Sequence, residues 1–527
     1  MNKGHIKLCE KNLPTLKAAG IHVPIYDRSK MREGIVHFGV GGFHRAHLAQ
    51  YIHMLATEHN VMDWSICGVG LMPSDIAMRD ALVSQDCLYT VIEGSAEGSK
   101  IHVVGSITSY MYAPTCPERV IAKLAHPDTR IVSLTITESG YCLNDTTKEL
   151  DTSHPSIAAD LQVMAKGGTP TTVYGYIVAG LARRHKLGLP PFTILSCDNI
   201  VQNGQLLKKM VLSFTEHIDR TLAAWLDSNG AFPNSMVDRI TPRTRPDDVQ
   251  RLARRYNVID AWPVVTEPFI QWVMEDNFTT GRPPWEKVGV QIADDVEPFE
   301  KMKLSLLNGT HSAIGYLAHL TGYEYIHEAI RSAEFRKYIR GMMDFELRPL
   351  LDHVPGIDMD KYCDSVIERF SNPTLGDRVL RICQDGSGKM PKYILSPLSK
   401  QLEQEGEFSR LSLCVAAWFR FLNGIDEWGK EYVVDDPMAA QLQLLAIDGG
   451  PDARGLLGVQ RLFDETLQHS APLLKKLNAQ LESLYRYGAR ATLIRVLEAV
   501  EEAPEVGTLG EPVNDGDLSW RLESAHL

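Results

Sequence analysis

From Gly34 the chain reads GIVHFGVGGFHRAHLAQYIHMLATEH, a short apolar run, a cluster of glycines, then helical spacing. Strand, tight turn and helix in that order set the architecture, because a strand feeding a helix is the start of a parallel α/β unit. Further apolar or β-branched runs follow at 64–70 (WSICGVG), 88–93 (LYTVIE), 101–107 (IHVVGSI), 130–137 (RIVSLTIT) and 192–197 (FTILSC). Between them lie helix-like stretches at 118–126 and 173–185, and Pro73 fits the opening of another helix. Strands separated by helices imply a parallel sheet.

After about residue 300 the texture changes to long helical periodicity, as in MKLSLLNGTHSAIGYLAHL, LSLCVAAWFRFLNG and LLKKLNAQLESLYRYGARATLIRVLEAV. The expectation is an α/β chain with a Rossmann-type dinucleotide-binding domain over 1–295 and a mainly α-helical domain over 296–500. An acidic, Gly/Pro-rich tail over 501–527 follows. With 527 residues, 44% of them hydrophobic, there is enough apolar material for at least two cores. Lys and Arg number 54 against 66 Asp and Glu, a net charge of -12, which argues against a nucleic-acid partner. No apolar run approaches the ~18–20 residues of a membrane span, so no membrane partner is expected. Nine scattered cysteines without a C-x-x-C pair suit a reducing compartment, and the charged N-terminus does not read as a secretory signal. No heptad seam is visible, and a monomer or weak homo-oligomer is expected.

The glycine cluster carries half of a dinucleotide fingerprint. Gly39 permits the tight turn and Gly41 lets a pyrophosphate approach the backbone, with Val40, Gly42 and Phe43 completing the loop. The third fingerprint glycine is replaced by His44. Asp75, just past the second strand, is the candidate for the ribose 2′-OH and favours NAD over NADP; its alternative role is a cap at the start of a helix.

For the chemistry, His44 and His47 lie one helical turn apart but lack a third ligand nearby, so they fit a helix surface or a phosphate-side wall better than zinc. Without metal, alcohol oxidation needs a base with a pKa near neutrality, and a buried lysine supplies one. Lys303, in EKMKLSLLNGTHS, sits in an apolar segment with Asn308 and His311; on an α-helix the three share an arc of about 140°. An amide can donate to an alkoxide without titrating, and an imidazole can hold a neighbouring hydroxyl.

At these residues the chain resembles the polyol-specific long-chain dehydrogenases. The matching stretches include GVGGFHRAH (39–47), ICGVGLMPSD (66–75), IVSLTITESGY (131–141), SCDN (196–199), FPNSMVDRITP (232–242), AWPVVTEPFIQWVMEDNF (261–278), KMKLSLLNGTHS and ERFSNPTLGDR (368–378). The K-x4-N-x2-H signature is specific in that company. The resemblance implies Lys303 as general base, Asn199 and Asn308 as amides binding the reacting oxygen, and Glu300 as a gate for proton exchange with solvent. It further implies His311, Asp238, Arg381 and Lys389 as the polyol pocket, NAD as cofactor, no metal, and a small polyol or ketose as partner. Ser74 stands where some relatives carry a second acid, so exclusion of NADP is expected to be incomplete.

Within that resemblance the expected reaction interconverts D-mannitol and D-fructose. D-arabinitol with D-xylulose, or fructuronate, are the alternatives; Ser139 takes the place of a lysine found in the uronate branch and disfavours an acidic substrate. A non-catalytic nucleotide sensor is a third reading, disfavoured because a sensor needs only the nucleotide half. The compartment expected is cytoplasmic, with Ala525-His526-Leu527 as an alternative peroxisomal address.

Overall fold

The computed structural model describes residues 5–144 and 147–501. The tail, apart from Glu501, and the C-terminal tripeptide lie outside the described residues.

Five strands, β1 (Glu33–Phe38), β2 (Ser65–Gly70), β3 (Ile107–Tyr112), β4 (Ile131–Leu134) and β5 (Thr193–Ser196), form one sheet. Its order is β3-β2-β1-β4-β5 and every neighbouring pair is parallel. Alternation decides which residue enters which core. Val36 and Phe38 pack into a cluster with Tyr174, Ile177 and Phe214 on one face, while Ile35 packs with Leu48, Ile52 and Leu55 on the other. Both faces are therefore covered, which is why these strands are continuous apolar runs.

Three expectations are corrected. The runs at 88–93 and 101–107 do not join the parallel sheet. Tyr89–Ser95 and Gly98–Val104 pair antiparallel as a hairpin, because the polar link between them is too short for a crossover helix. The helix after the glycine cluster is not continuous: α1 (Gly42–Ala46) ends at His47, whose non-helical backbone separates it from α2 (Leu48–His59). The third correction concerns residues 303–309, described below.

A second sheet has three strands. Its strands are β6 (Ser235–Asp238), β7 (Gln271–Glu275) and β8 (Gln291–Ala293), with β7 antiparallel to β6 and parallel to β8. Met236 of β6 and Val273 of β7 belong to the same buried cluster as Phe299, Met302, Leu306 and Ile314 of the helical half. The two halves thus meet along these strands.

Beyond residue 296 the described structure is helical, starting with α3 (Glu297–Met302). Next comes a π-helical segment, Lys303–Gly309, that runs directly into α4 (Thr310–Leu320). Further on, α5 (Met359–Phe370) packs back toward β6. Among the described residues no helix is long and apolar enough to cross a membrane, and the nine cysteines form no disulfide.

Candidate active site

The end of β1 is built for close approach. Gly39 has φ +88°, and a Cβ there would lie 2.1 Å from the Thr135 carbonyl oxygen, so no other residue fits the turn. At Gly41 a Cβ would meet only the Gly39 carbonyl oxygen, at 3.9 Å, so the backbone lies open to an approaching group. Val40 is buried, Gly42 opens α1, and Phe43 lines the cleft described next. Asp75 lies five residues beyond the end of β2. Its Oδ2 accepts the backbone N–H of Leu71 and of Met72, both at 2.9 Å, so it shapes the loop as a cap does. Its Oδ1 makes no hydrogen bond among the described residues. An open glycine turn and a carboxylate at the second strand fit a dinucleotide without a 2′-phosphate.

His44 and His47 are not on a surface. His44 is buried with its ring stacked 3.4 Å from that of His37, and His47 is buried with Nε2 2.9 Å from the Gln271 carbonyl oxygen. Burial pushes His47 down to about 3 and His44 well below the usual imidazole range, so both are neutral packing groups.

A cleft of about 530 Å³ opens between the two halves. Lys303, Asn199, Asn308, His311, Asp238, Arg381 and Lys389 all line it, although they come from five separate parts of the chain. The π-helical winding accounts for part of this. In a segment bonded from residue i+5 back to residue i, positions five apart stand nearly one above the other. Lys303 and Asn308 are such a pair, so the 140° separation expected of an α-helix does not apply.

Lys303 is 6% exposed. Its Nζ donates to Asn199 Oδ1 and to the Val237 carbonyl oxygen, each at 2.6 Å. Burial lowers its pKa below the ordinary lysine value; Arg369 adds to that effect, while Asp238 and Glu300 oppose it. Nζ carries four tetrahedral directions, of which Cε, Asn199 and Val237 take three. The fourth is a lone pair in the neutral amine and an N–H in the ammonium. Glu300 lies beside the cleft rather than in it, sharing a small adjoining cavity with Lys303 and Asn199. Burial pushes its carboxyl up to about 7, against the opposing effect of the Gln202 N–H 3.1 Å from Oε2.

The polyol-pocket candidates are more occupied than the sequence suggests. Asp238 lines the cleft, but Arg369 grips both its oxygens, at 2.7 and 2.8 Å. Arg381 is held by Asp377, with Nε 2.9 Å from Oδ1. His311 stacks on Phe370, and its Nε2 lies 3.2 Å from Asp377 Oδ2 but is poorly aligned for a hydrogen bond. Lys389 Nζ donates to the Gln384 carbonyl at 2.7 Å. Asn308 and Tyr393 line the cleft together. Sequence reasoning missed Arg369, Glu267, Asp377 and Tyr393. Arg369, Glu267 and Asp377 stood inside the matching stretches; the lone charge of Glu267 in VVTEPFI was the available signal, whereas Arg369 follows Glu368 and carries none.

Together, the parallel sheet with its open glycine turn and the amine-lined cleft define a dehydrogenase with a Rossmann-type nucleotide domain. Residues 33–287 match the mannitol dehydrogenase Rossmann domain and residues 295–485 the mannitol dehydrogenase C-terminal domain; the chain belongs to the mannitol dehydrogenase family. It is 51% identical over 500 residues to mannitol 2-dehydrogenase of Aspergillus terreus, covering 94% of this chain and 99% of that one. Against Pseudomonas fluorescens mannitol 2-dehydrogenase in ternary complex with NAD and D-mannitol the TM-score is 0.84 at 42% identity, covering 94% of this chain and all of that one. A D-sorbitol dehydrogenase in substrate-free form gives a TM-score of 0.84 at 36% identity, over 93% of this chain and 100% of the other.

Proposed function

We propose that this protein is an NAD-dependent polyol dehydrogenase that interconverts D-mannitol and D-fructose, with Lys303 as general acid/base and no metal. The observation that carries the reading is the Lys303 amine, buried in the cleft and held by Asn199 and Val237 so that one direction remains for a substrate hydroxyl. The first half, taken as residues 1–295, holds NAD, which accepts the hydride from the carbinol carbon. Gly39, Val40, Gly41, Gly42 and Phe43 shape the loop over the pyrophosphate, and Asp75 receives the ribose 2′-OH through Oδ1.

Lys303 Nζ takes the hydroxyl proton in oxidation and returns it in reduction. Lowering of its pKa by burial supports this role, since a base must be neutral to accept a proton. Asn199 accepts from Lys303 through Oδ1, so its amide N–H₂ is free to donate to the alkoxide. Asn308, beside Tyr393 in the cleft wall, supplies a second amide. Glu300, poised near neutrality behind the lysine, passes the proton toward solvent. His311, Arg381 and Lys389 face the neighbouring hydroxyls, and Asp238 acts from under the pocket through Arg369. The likeness to a D-sorbitol dehydrogenase favours a second substrate, D-sorbitol, which differs from mannitol at a single carbinol centre. The compartment proposed is cytoplasmic, with the terminal tripeptide as the peroxisomal alternative; fusions with a free or masked C-terminus separate the two.

The test is a set of steady-state rates followed by NADH absorbance. Fructose, xylulose and fructuronate are reduced, mannitol, sorbitol and arabinitol oxidised, each repeated with NADP(H) and with EDTA. The expected result is a kcat/KM preference for mannitol and fructose with NAD(H), unchanged by EDTA. Lys303→Ala is expected to lose at least about 10²–10⁴-fold in turnover while still binding NADH. Loss of activity in EDTA, or a Lys303→Ala rate near wild type, would reject the lysine mechanism.

A further inference from the structure

Behind the cleft lies a buried ion cluster that joins the two halves of the chain. Arg369, from α5 of the helical half, meets Asp238 at the end of β6 and Glu267 just beyond residues 264–266. All three side chains are at most 5% exposed. Nη1 and Nη2 of Arg369 reach the two Asp238 oxygens at 2.8 and 2.7 Å, and Nε and Nη2 reach Glu267 at 3.0 and 2.9 Å. The guanidinium also lies 4.0 Å over the Phe269 ring. The two carboxylates take four of the five N–H donors of this fork.

The cluster borders the reacting amine. Asp238 directly follows Val237, whose carbonyl oxygen accepts from Lys303 Nζ. A carboxylate gripped at both oxygens cannot turn, so the preceding peptide is held in register with α5. We propose that Arg369 is a positioning residue for the reaction: its fork, reaching across from the helical half, fixes the Asp238 end of β6 and so aims the Val237 carbonyl that orients Lys303. The inference rests on Lys303 being the base.

The charges acting on Lys303 give this role a signature. Asp238, Glu300 and Arg369 act on it directly, and the neutral His47 stands nearby. With Arg369 neutralised, Asp238 faces Lys303 unopposed and favours the ammonium. The oxidation rate, which needs the free amine, then rises only at higher pH. A charge that did not reach Lys303 would leave that midpoint where it is.

The experiment compares Arg369→Gln with Arg369→Lys, with Lys303→Ala alongside, measuring kcat and KM for mannitol oxidation against pH, NADH binding by fluorescence, and far-UV circular dichroism. For Arg369→Gln we expect kcat to fall by about 10²-fold and the pH midpoint to move up by about one unit, with NADH affinity kept. Arg369→Lys, which keeps the charge but not the fork, should hold the wild-type midpoint while kcat still falls by about tenfold. An Arg369→Gln midpoint that stays put, or a kcat within about twofold of wild type, overturns the proposal. If Arg369→Gln does not fold, Arg369→Lys decides alone: a wild-type kcat overturns the role of the fork, and a reduced kcat at an unmoved midpoint supports it. An active Lys303→Ala removes the reading on which this rests, whereas an inactive one beside an unshifted Arg369→Gln overturns this inference only.

Discussion

Glu300 and Lys303 stand three residues apart, and burial moves their proton affinities toward each other. It raises the carboxyl to about 7 and lowers the amine, since each loses more solvation in its charged form than in its neutral one. A proton passing between them crosses a smaller difference than it would in water. Glu300→Gln removes that carrier, so we expect a lower kcat for mannitol oxidation, loss of the rate's pH dependence near neutrality, and unchanged NADH binding. The stability effect has a definite sign. The folded protein keeps the Glu300 proton above the ordinary glutamate pKa of about 4.5, where the unfolded chain has lost it, so this residue's contribution declines as pH rises toward about 7. Tm measured from pH 5 to 8 should fall less steeply in Glu300→Gln than in wild type. Gly39→Ala belongs to the same scale: its φ alone costs about 1–2 kcal/mol, and the collision with Thr135 adds to it, so we expect a lower Tm and weakened NADH binding in a fluorescence titration.

Among the elements, the π-helical segment Lys303–Gly309 does the most to gather the site, and it packs closely on a second such segment, Pro391–Leu395. A Cβ on Gly309 would sit 3.0 Å from the Tyr393 carbonyl oxygen. Gly309→Ala should therefore part Asn308 from Tyr393, lowering kcat by about tenfold and stability by about 1–3 kcal/mol, to be read by kinetics and thermal denaturation. Little of this was legible beforehand. Leu304, Leu306 and Leu307 give the same apolar spacing whether the winding is α or π, so Lys303, Asn308 and His311 could be named while their true alignment could not. The strand–turn–helix at Gly39 was legible because glycine there answers a local steric demand. The hairpin at 89–104 was not separated from the parallel strands, since β-branched runs look alike until pairing partners are known. Arg369 was unreadable as part of the site because its partners lie 131 and 102 residues away.

On the scale of the whole molecule, the cleft is a seam. Lys392 of the helical half pairs with Glu138 of the nucleotide half across its mouth, 3.0 Å apart and half exposed on both sides. An exposed pair contributes about 0.2–1 kcal/mol, so Lys392→Ala should change KM for mannitol by no more than about fivefold. That difference should shrink as salt is raised, which steady-state rates at two ionic strengths will show. The proposed reaction centre lies deeper along the same seam, where Asn199 and Val237 come from one half and Lys303 and Asn308 from the other. This has a consequence for inheritance. A crossover between two relatives near residue 290 would divide the helical core only at Met236 and Val273, yet it would join a lysine from one parent to a carbonyl placed by the other. Most of each core can recombine as a separate piece, but the lysine and its carbonyl descend only as a matched pair.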